Sequence, residues 1–286
     1  MAKRVTRKFE AYAMHMHQDT PAAYADIFRR LAEVPRQRRQ VKISDVVVVV
    51  GFPIVEADGQ RYFIRAVEGG DSAALVYNVE TGRTRENILG DAEVLTEAAH
   101  FVVAPAKRRA AIEYVRRGPK AWLLGVAIEG ILKTNYPELS DFNFEFTPII
   151  GDNFISEINS FKRIRMAHIR VTKPNVGWTD HYTALSDLME ESGGDKGEIG
   201  VRAIDGKSLS RNAGVVKVIK DIVSDEQPYL DDASVTGTRE GETAETTIRA
   251  RKHIVHTRNT VQTDDAGVAS PEDVRTKLVR FLSGLG

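Results

Sequence analysis

Cysteine is absent from this sequence, and with it go disulfides, thiolate metal sites and cysteine nucleophiles. Net charge is absent too: 40 Lys and Arg face 40 Asp and Glu, with a sequence pI near 7.1. A uniformly basic coat is therefore excluded, and any polyanion-binding surface must be local. Long hydrophobic runs are missing as well. VVVVVGFPIV and AWLLGVAIEGIL are the longest candidates, and both fall well short of the roughly 20 residues that span a bilayer. The opening MAKRVTRKFEAYAMHMH carries cations with no apolar stretch behind them, so it does not read as a signal peptide. A cytoplasmic protein is the expectation. No nucleophile elbow, zincin helix or dinucleotide fingerprint occurs. A non-catalytic protein with no cofactor and no metal is expected.

What is present is an ordinary globular composition, 42% hydrophobic and 28% charged over 286 residues, enough for one large or two smaller cores. Alternation over 8–17 predicts a strand with Tyr12, Met14 and Met16 on one face. Thr20 and Pro21 then start a helix with Tyr24, Ile27, Phe28 and Leu31 at helical spacing, and Pro35 ends it. PRQRRQVK follows as an exposed connector. The β-branched run 46–50 predicts a strand buried on both faces, and Asp58-Gly59 a hairpin to a strand over 61–67. Further strands are expected over 74–79, before a turn at 80–82, and over 99–103. Helices are expected over 107–116 and 120–133.

Tyr136-Pro137 marks the expected boundary between an N-terminal domain, 1–137, and a C-terminal one, 138–286. The second begins with a strand carrying Phe142, Phe144 and Phe146, then a helix over 153–161. Residues 163–171 read as extended, and their imperfect alternation predicts a bulge or an edge strand. Helices over 181–189 and 209–223 flank a strand over 198–203. Residues 233–247 read as a long loop, 248–257 as a polar basic strand, and 271–282 as a closing helix capped by Ser270. The class expected is α+β, with mixed and antiparallel sheets and two intimately packed halves.

Five cations crowd into 162–173 (Lys162, Arg163, Arg165, Arg170 and Lys173), with no acid until Asp180. Arg163 and Arg165 share a strand face on this reading, as do Arg249, Arg251 and His253. Two such strands side by side would make one positive surface for a phosphate backbone. The alternative is a solvated edge strand protected by its charges. Arg36, Arg38 and Arg39 carry the same two readings. Trp178 and Tyr182 could stack on bases beside such a surface, or be core or rim residues.

Gly206-Lys207-Ser208 lies between strand and helix, but the spacing fails for a P-loop, and a tight turn with a Ser helix cap is the reading adopted. His15 and His17 share a strand face without a third metal ligand and read as partly exposed histidines. A metal-dependent nuclease built on Asp141, Glu145 or the carboxylates of 225–232 is the second function considered, and a protein–protein module the third.

In the order of its features the chain resembles the RexA-type phage-exclusion proteins and the KwaB component of Kiwa antiphage systems. The resemblance runs through VVVVVGFPIVEADGQRYFIRAV, AHFVVAP, FEFTPIIGDN, FKRIRMAHIRVTKPN, DLMEESGGDKGEIGVRA and SLSRNAGVVKVIKDIV. It implies a cytoplasmic homodimer that binds double-stranded DNA without strong sequence preference in phage exclusion or abortive infection. A membrane protein encoded nearby would be a further partner. The positions it carries over are Lys162, Arg163, Arg165 and Arg170. The segment before Val46 departs from the RexA pattern. The acidic stretch 221–245 would repel DNA from the wrong face, or compete for the basic one.

Overall fold

Thirteen residues near the start of the chain, Arg4–Met16 (β1), form the axis of the larger sheet. The structure is a computed structural model; it describes residues 3–16, 22–51, 54–55, 59–70, 75–77, 84–86, 95–172, 189, 191–192, 194, 196–224, 230–265 and 267–285. After β1 come α1 (Ala22–Glu33), β2 (Gln40–Ile43), β3 (Val46–Val50), β4 (Ile54–Val55), β5 (Tyr62–Gly70), β6 (Leu75–Tyr77) and β7 (Thr84–Glu86). Then follow β8 (Leu95–Ala104), β9 (Arg109–Tyr114), α2 (Ala121–Asn135), β10 (Phe144–Pro148) and α3 (Asn153–Ser160). The rest is β11 (Phe161–Thr172), β12 (Lys196–Arg202), α4 (Gly214–Val223), β13 (Leu230–Arg239), β14 (Thr246–Arg249), β15 (His256–Gln262) and α5 (Pro271–Ser283). The fold is α+β, as expected, with antiparallel sheets and the larger one curled as a half-barrel.

The larger sheet runs β10-β1-β9-β8-β5-β3-β2. Because β1 is long, it holds two partners end to end: residues 12–16 pair with β10, and residues 4–10 with β15. Alternation sends Tyr12, Met14 and Met16 into a core with Phe144, Phe146 and the apolar sides of α1 and α2. Phe9 points the other way, to Val274, Leu278 and Leu282 of α5. Both faces are covered, so strands near the centre read as almost continuously apolar. The second sheet runs β12-β11-β13-β14. Its inner face (Ile164, Ile169, Val235) packs on Phe154 and Ile158 of α3 and on Val216, Ile219 and Ile222 of α4.

Several expectations are overturned. Residues 109–114 form strand β9, not helix. Ala110, Ala111 and Ile112 fit either period, and small residues suit a strand buried between β1 and β8. Residues 233–247 are no loop but most of the β13–β14 hairpin. Their threonines face outward while Ala233 and Val235 face the core. Residues 248–257 are not one strand: β14 stops at Arg249, a 3₁₀ turn spans Ala250–His253, and β15 then joins the other sheet. Helix α4 begins at Gly214 rather than at 209. In β3 only Val48 and Val50 are buried; the other three valines are half-buried. The break near 136–140 does not fall between cores: Leu139, Phe142, Phe144 and Phe146 join the core of β1 and α2, β15 pairs with β1, and α5 covers Phe9, while the second sheet's core lies wholly beyond residue 149. The Thr20 cap, Asp58, the turn at 80–82, His17 and almost all of the helix expected over 181–189 lie outside the described residues.

Candidate nucleic-acid interface

The basic segment becomes β11, an interior strand rather than an edge, with bulges between Phe161 and Arg163, Ile164 and Met166, and Arg170 and Val171. The bulges reconcile its imperfect alternation with a continuous buried face of Ile164, Ala167 and Ile169. β14 does not lie beside β11, as two adjacent basic strands would require, because β13 runs between them. The two are therefore separated by about 9–10 Å, twice the inter-strand spacing.

Register nevertheless brings the cations onto one face. Arg163 lies opposite Thr238. The next row is Arg202–Met166–Thr236–Thr247, with the two threonine hydroxyls 2.8 Å apart. A third row reads Gly200–His168–Ser234–Arg249, and a fourth Glu198–Arg170–Asp232. Side chains along these rows are partly or fully exposed apart from glycine. Arg165 occupies the bulge beside them. Sequence reading missed Arg202 and His168; only cross-strand register places them here.

Carboxylates accompany most of these cations. Lys162 Nζ lies 2.7 Å from Glu240, and Arg165 lies 3.0 Å from Asp205 and 3.9 Å from Glu245. Arg163 Nε donates to the Lys207 carbonyl at 2.9 Å. Glu198 accepts from His168 and Arg170, and those bonds hold its carboxyl below the usual range. The same bond to Glu198, together with Asp231, raises the Arg170 guanidinium. Asp231 also pairs with Arg251 at 2.9 Å. Arg202 and Arg249 have no ion pair among the described residues. The acids differ in exposure: the Asp205 side chain is 91% exposed, that of Asp231 only 18%. The first kind of pair is weak and exchangeable, whereas the second is part of the framework.

Arg251 sits on the 3₁₀ turn and not on a strand with Arg249. It lines a 380 Å³ groove where β10 meets the second sheet, with Tyr12, Lys120, Trp122, Lys196 and Asp231. Trp122 is 63% exposed there. The expected cluster at 36–39 does not join this surface. Arg36 and Arg38 are exposed on a 3₁₀ turn before β2, at the opposite end of the larger sheet from β10. Arg39, expected on an exposed connector, is buried at 1% exposure. Its Nε donates to Val34 O and its Nη2 to Ala32 O, closing the end of α1. Lys173, Trp178 and Tyr182 lie outside the described residues.

The remaining sequence candidates resolve differently. Gly206 is a turn residue at φ +79°, and the Ser208 hydroxyl accepts from Ile164 N rather than capping α4. His15, expected to be partly exposed, is buried. Glu145 pairs with Lys196 at 3.3 Å, and Asp231 and Asp232 face arginines. Among the described residues no group of three or more metal-binding side chains occurs, and no helix is long and apolar enough to cross a membrane. No protein-family model matches the chain, and no curated protein matches it significantly.

Proposed function

We propose that this protein binds nucleic acid without catalysis, through the outer face of the second sheet. The observation that carries the reading is the row alignment of Arg163, Arg170, Arg202 and Arg249, drawn from separate stretches of sequence onto one exposed face. Phosphates would displace the exposed partners Glu240, Asp205 and Glu245, while Arg170 and Arg251 keep hold of half-buried Asp231. Double-stranded DNA is the proposed ligand, because binding to phosphate alone is tolerant of sequence and such a duplex presents closely spaced charge.

An Arg202→Glu/Arg249→Glu double variant tests this, since both side chains are exposed and have no ion pair to break among the described residues. It should melt like the parent and bind duplexes of any sequence at least tenfold more weakly. Its log–log salt dependence should be shallower by about two, one for each phosphate that is no longer neutralised. Parental affinity in the double variant would overturn the proposal. The setting in phage exclusion is supported by the pattern resemblance alone. Homodimerisation has one structural support: β12 is a sheet edge, with Ile199 and Val201 each 36% exposed on it. Light scattering of an Ile199→Lys variant, expected to run at half the parental mass, tests it.

A further inference from the structure

On the α5 side of the larger sheet, register sets Arg65 opposite His100 and Phe9 opposite Glu113, and His100 and Glu113 lie just beyond the Phe101–Ile112 pair of β8 and β9. His100 and Glu113 are almost fully buried, at 5% and 2% exposure. His100 Nδ1 lies 2.7 Å from Glu113 Oε2, and Arg7 Nε lies 3.4 Å from Glu113 Oε1. Phe63 stacks on the imidazole, with centroids 5.6 Å apart and planes at 6°. The ring is therefore fixed in place and in tautomer: Nδ1 donates to the carboxylate, and in the neutral ring Nε2 carries the lone pair. That Nε2 is buried without a hydrogen-bond partner among the described residues. His100 lines a 520 Å³ cavity together with Arg7, Arg65, Glu113, Val268 and Pro271. A buried polar atom costs stability if it stays unpaired, and beside a cavity it can be met by water or by a ligand.

We propose that this cavity binds a small phosphate that retains one O–H, either hydrogen phosphate or a phosphate monoester. The O–H donates to His100 Nε2, and the anionic oxygens meet Arg65 and Arg7. A histidine whose Nδ1 is held by a carboxylate and whose Nε2 is unpartnered, with Arg7 and Arg65 lining the same cavity, matches a ligand that is donor and anion at once. The site lies on the first sheet under the start of α5, so it stands independently of the DNA-binding face.

The test is imidazole ¹⁵N NMR of the intact protein near pH 6, where inorganic phosphate and about half of methyl phosphate carry an O–H, with inorganic phosphate, methyl phosphate and sulfate as probes. His100 is one of seven histidines and is assigned through its contact with the Phe63 ring. Phosphate or methyl phosphate should move Nε2 saturably, and the tighter of the two identifies the source. Sulfate has the charge but no proton at this pH, and should bind more weakly by roughly tenfold or more. Arg65→Gln replaces an exposed side chain and should weaken phosphate by a similar factor while leaving the melt unchanged. Overturning results are a His100 signal that neither phosphate nor methyl phosphate moves, sulfate binding as tightly as phosphate, or undiminished affinity in Arg65→Gln.

Discussion

Arg39 is a charge in the core, and its environment explains why. Burial pushes its guanidinium below the ordinary value, yet two of its nitrogens satisfy the terminal carbonyls of α1. Replacing Arg39 with Ala would orphan those carbonyls and leave a cavity; a loss of about 3 kcal/mol in urea unfolding is expected. Arg36→Ala and Arg38→Ala, two exposed neighbours, should stay within about 0.5 kcal/mol of the parent. His253 supplies the pH dependence at this scale. It packs against Phe154 with centroids 5.3 Å apart, and burial lowers its imidazole below the usual 6.5. The unfolded chain thus takes up the proton more readily than the folded one. Stability from this residue is complete above about pH 6.5 and is lost as pH falls through the lowered native value. His253→Gln should flatten that part of a plot of unfolding free energy against pH. Neither feature was legible locally: PRQRRQVK reads as surface by composition, and nothing in the sequence marks which of its three arginines turns inward.

Legibility varied among elements with the strength of their local code. α5 was readable because Ser270, Pro271, Glu272 and Asp273 spell a helix start, and the Ser270 hydroxyl does accept from Asp273 N. Ser270→Ala should lower stability by about 1 kcal/mol in thermal or urea unfolding. α2 and α3 were readable from their apolar spacing, and the bulging of β11 from its broken alternation. β9 and β13 were not. Ala110 and Ala111 are good helix formers overridden by hydrogen bonding to strands on both sides, and the polar threonines of β13 mimic loop composition. Gly237 in β13 is where the second sheet is tightest: an added Cβ would run into the Arg163 carbonyl oxygen and the Phe161 ring. Gly237→Ala should therefore cost about 1–3 kcal/mol through overpacking, read from the shift in the denaturation midpoint.

For the molecule as a whole, the chain closes on itself. β10, β15 and α5, all beyond residue 137, supply partners for β1 and a cover for Phe9, Phe63 and Val102. Residues 1–137 alone should fail to give a cooperative thermal transition and should aggregate, whereas the full chain should melt in a cooperative transition. A sharp melt from that fragment would show that the first half does carry its own core. The composition break at Tyr136-Pro137 is real as a turn between α2 and β10, but a turn is a local event and says nothing of which strands later pair.

By itself the sequence determined the α+β class, the strong helices, the first strand and the local density of cations in 162–173, because each rests on periodicity, capping or composition within a few residues. Tertiary structure alone decided that β13 separates β11 from β14, that Arg202 and Arg249 nonetheless share a face with Arg170, and that acids such as Asp205 and Asp231 stand beside the cations. It also decided that His100 and Glu113, 13 residues apart, meet across two strands over a cavity. Strand neighbours and register are chosen by burial summed over whole faces, and no window of the chain contains that sum.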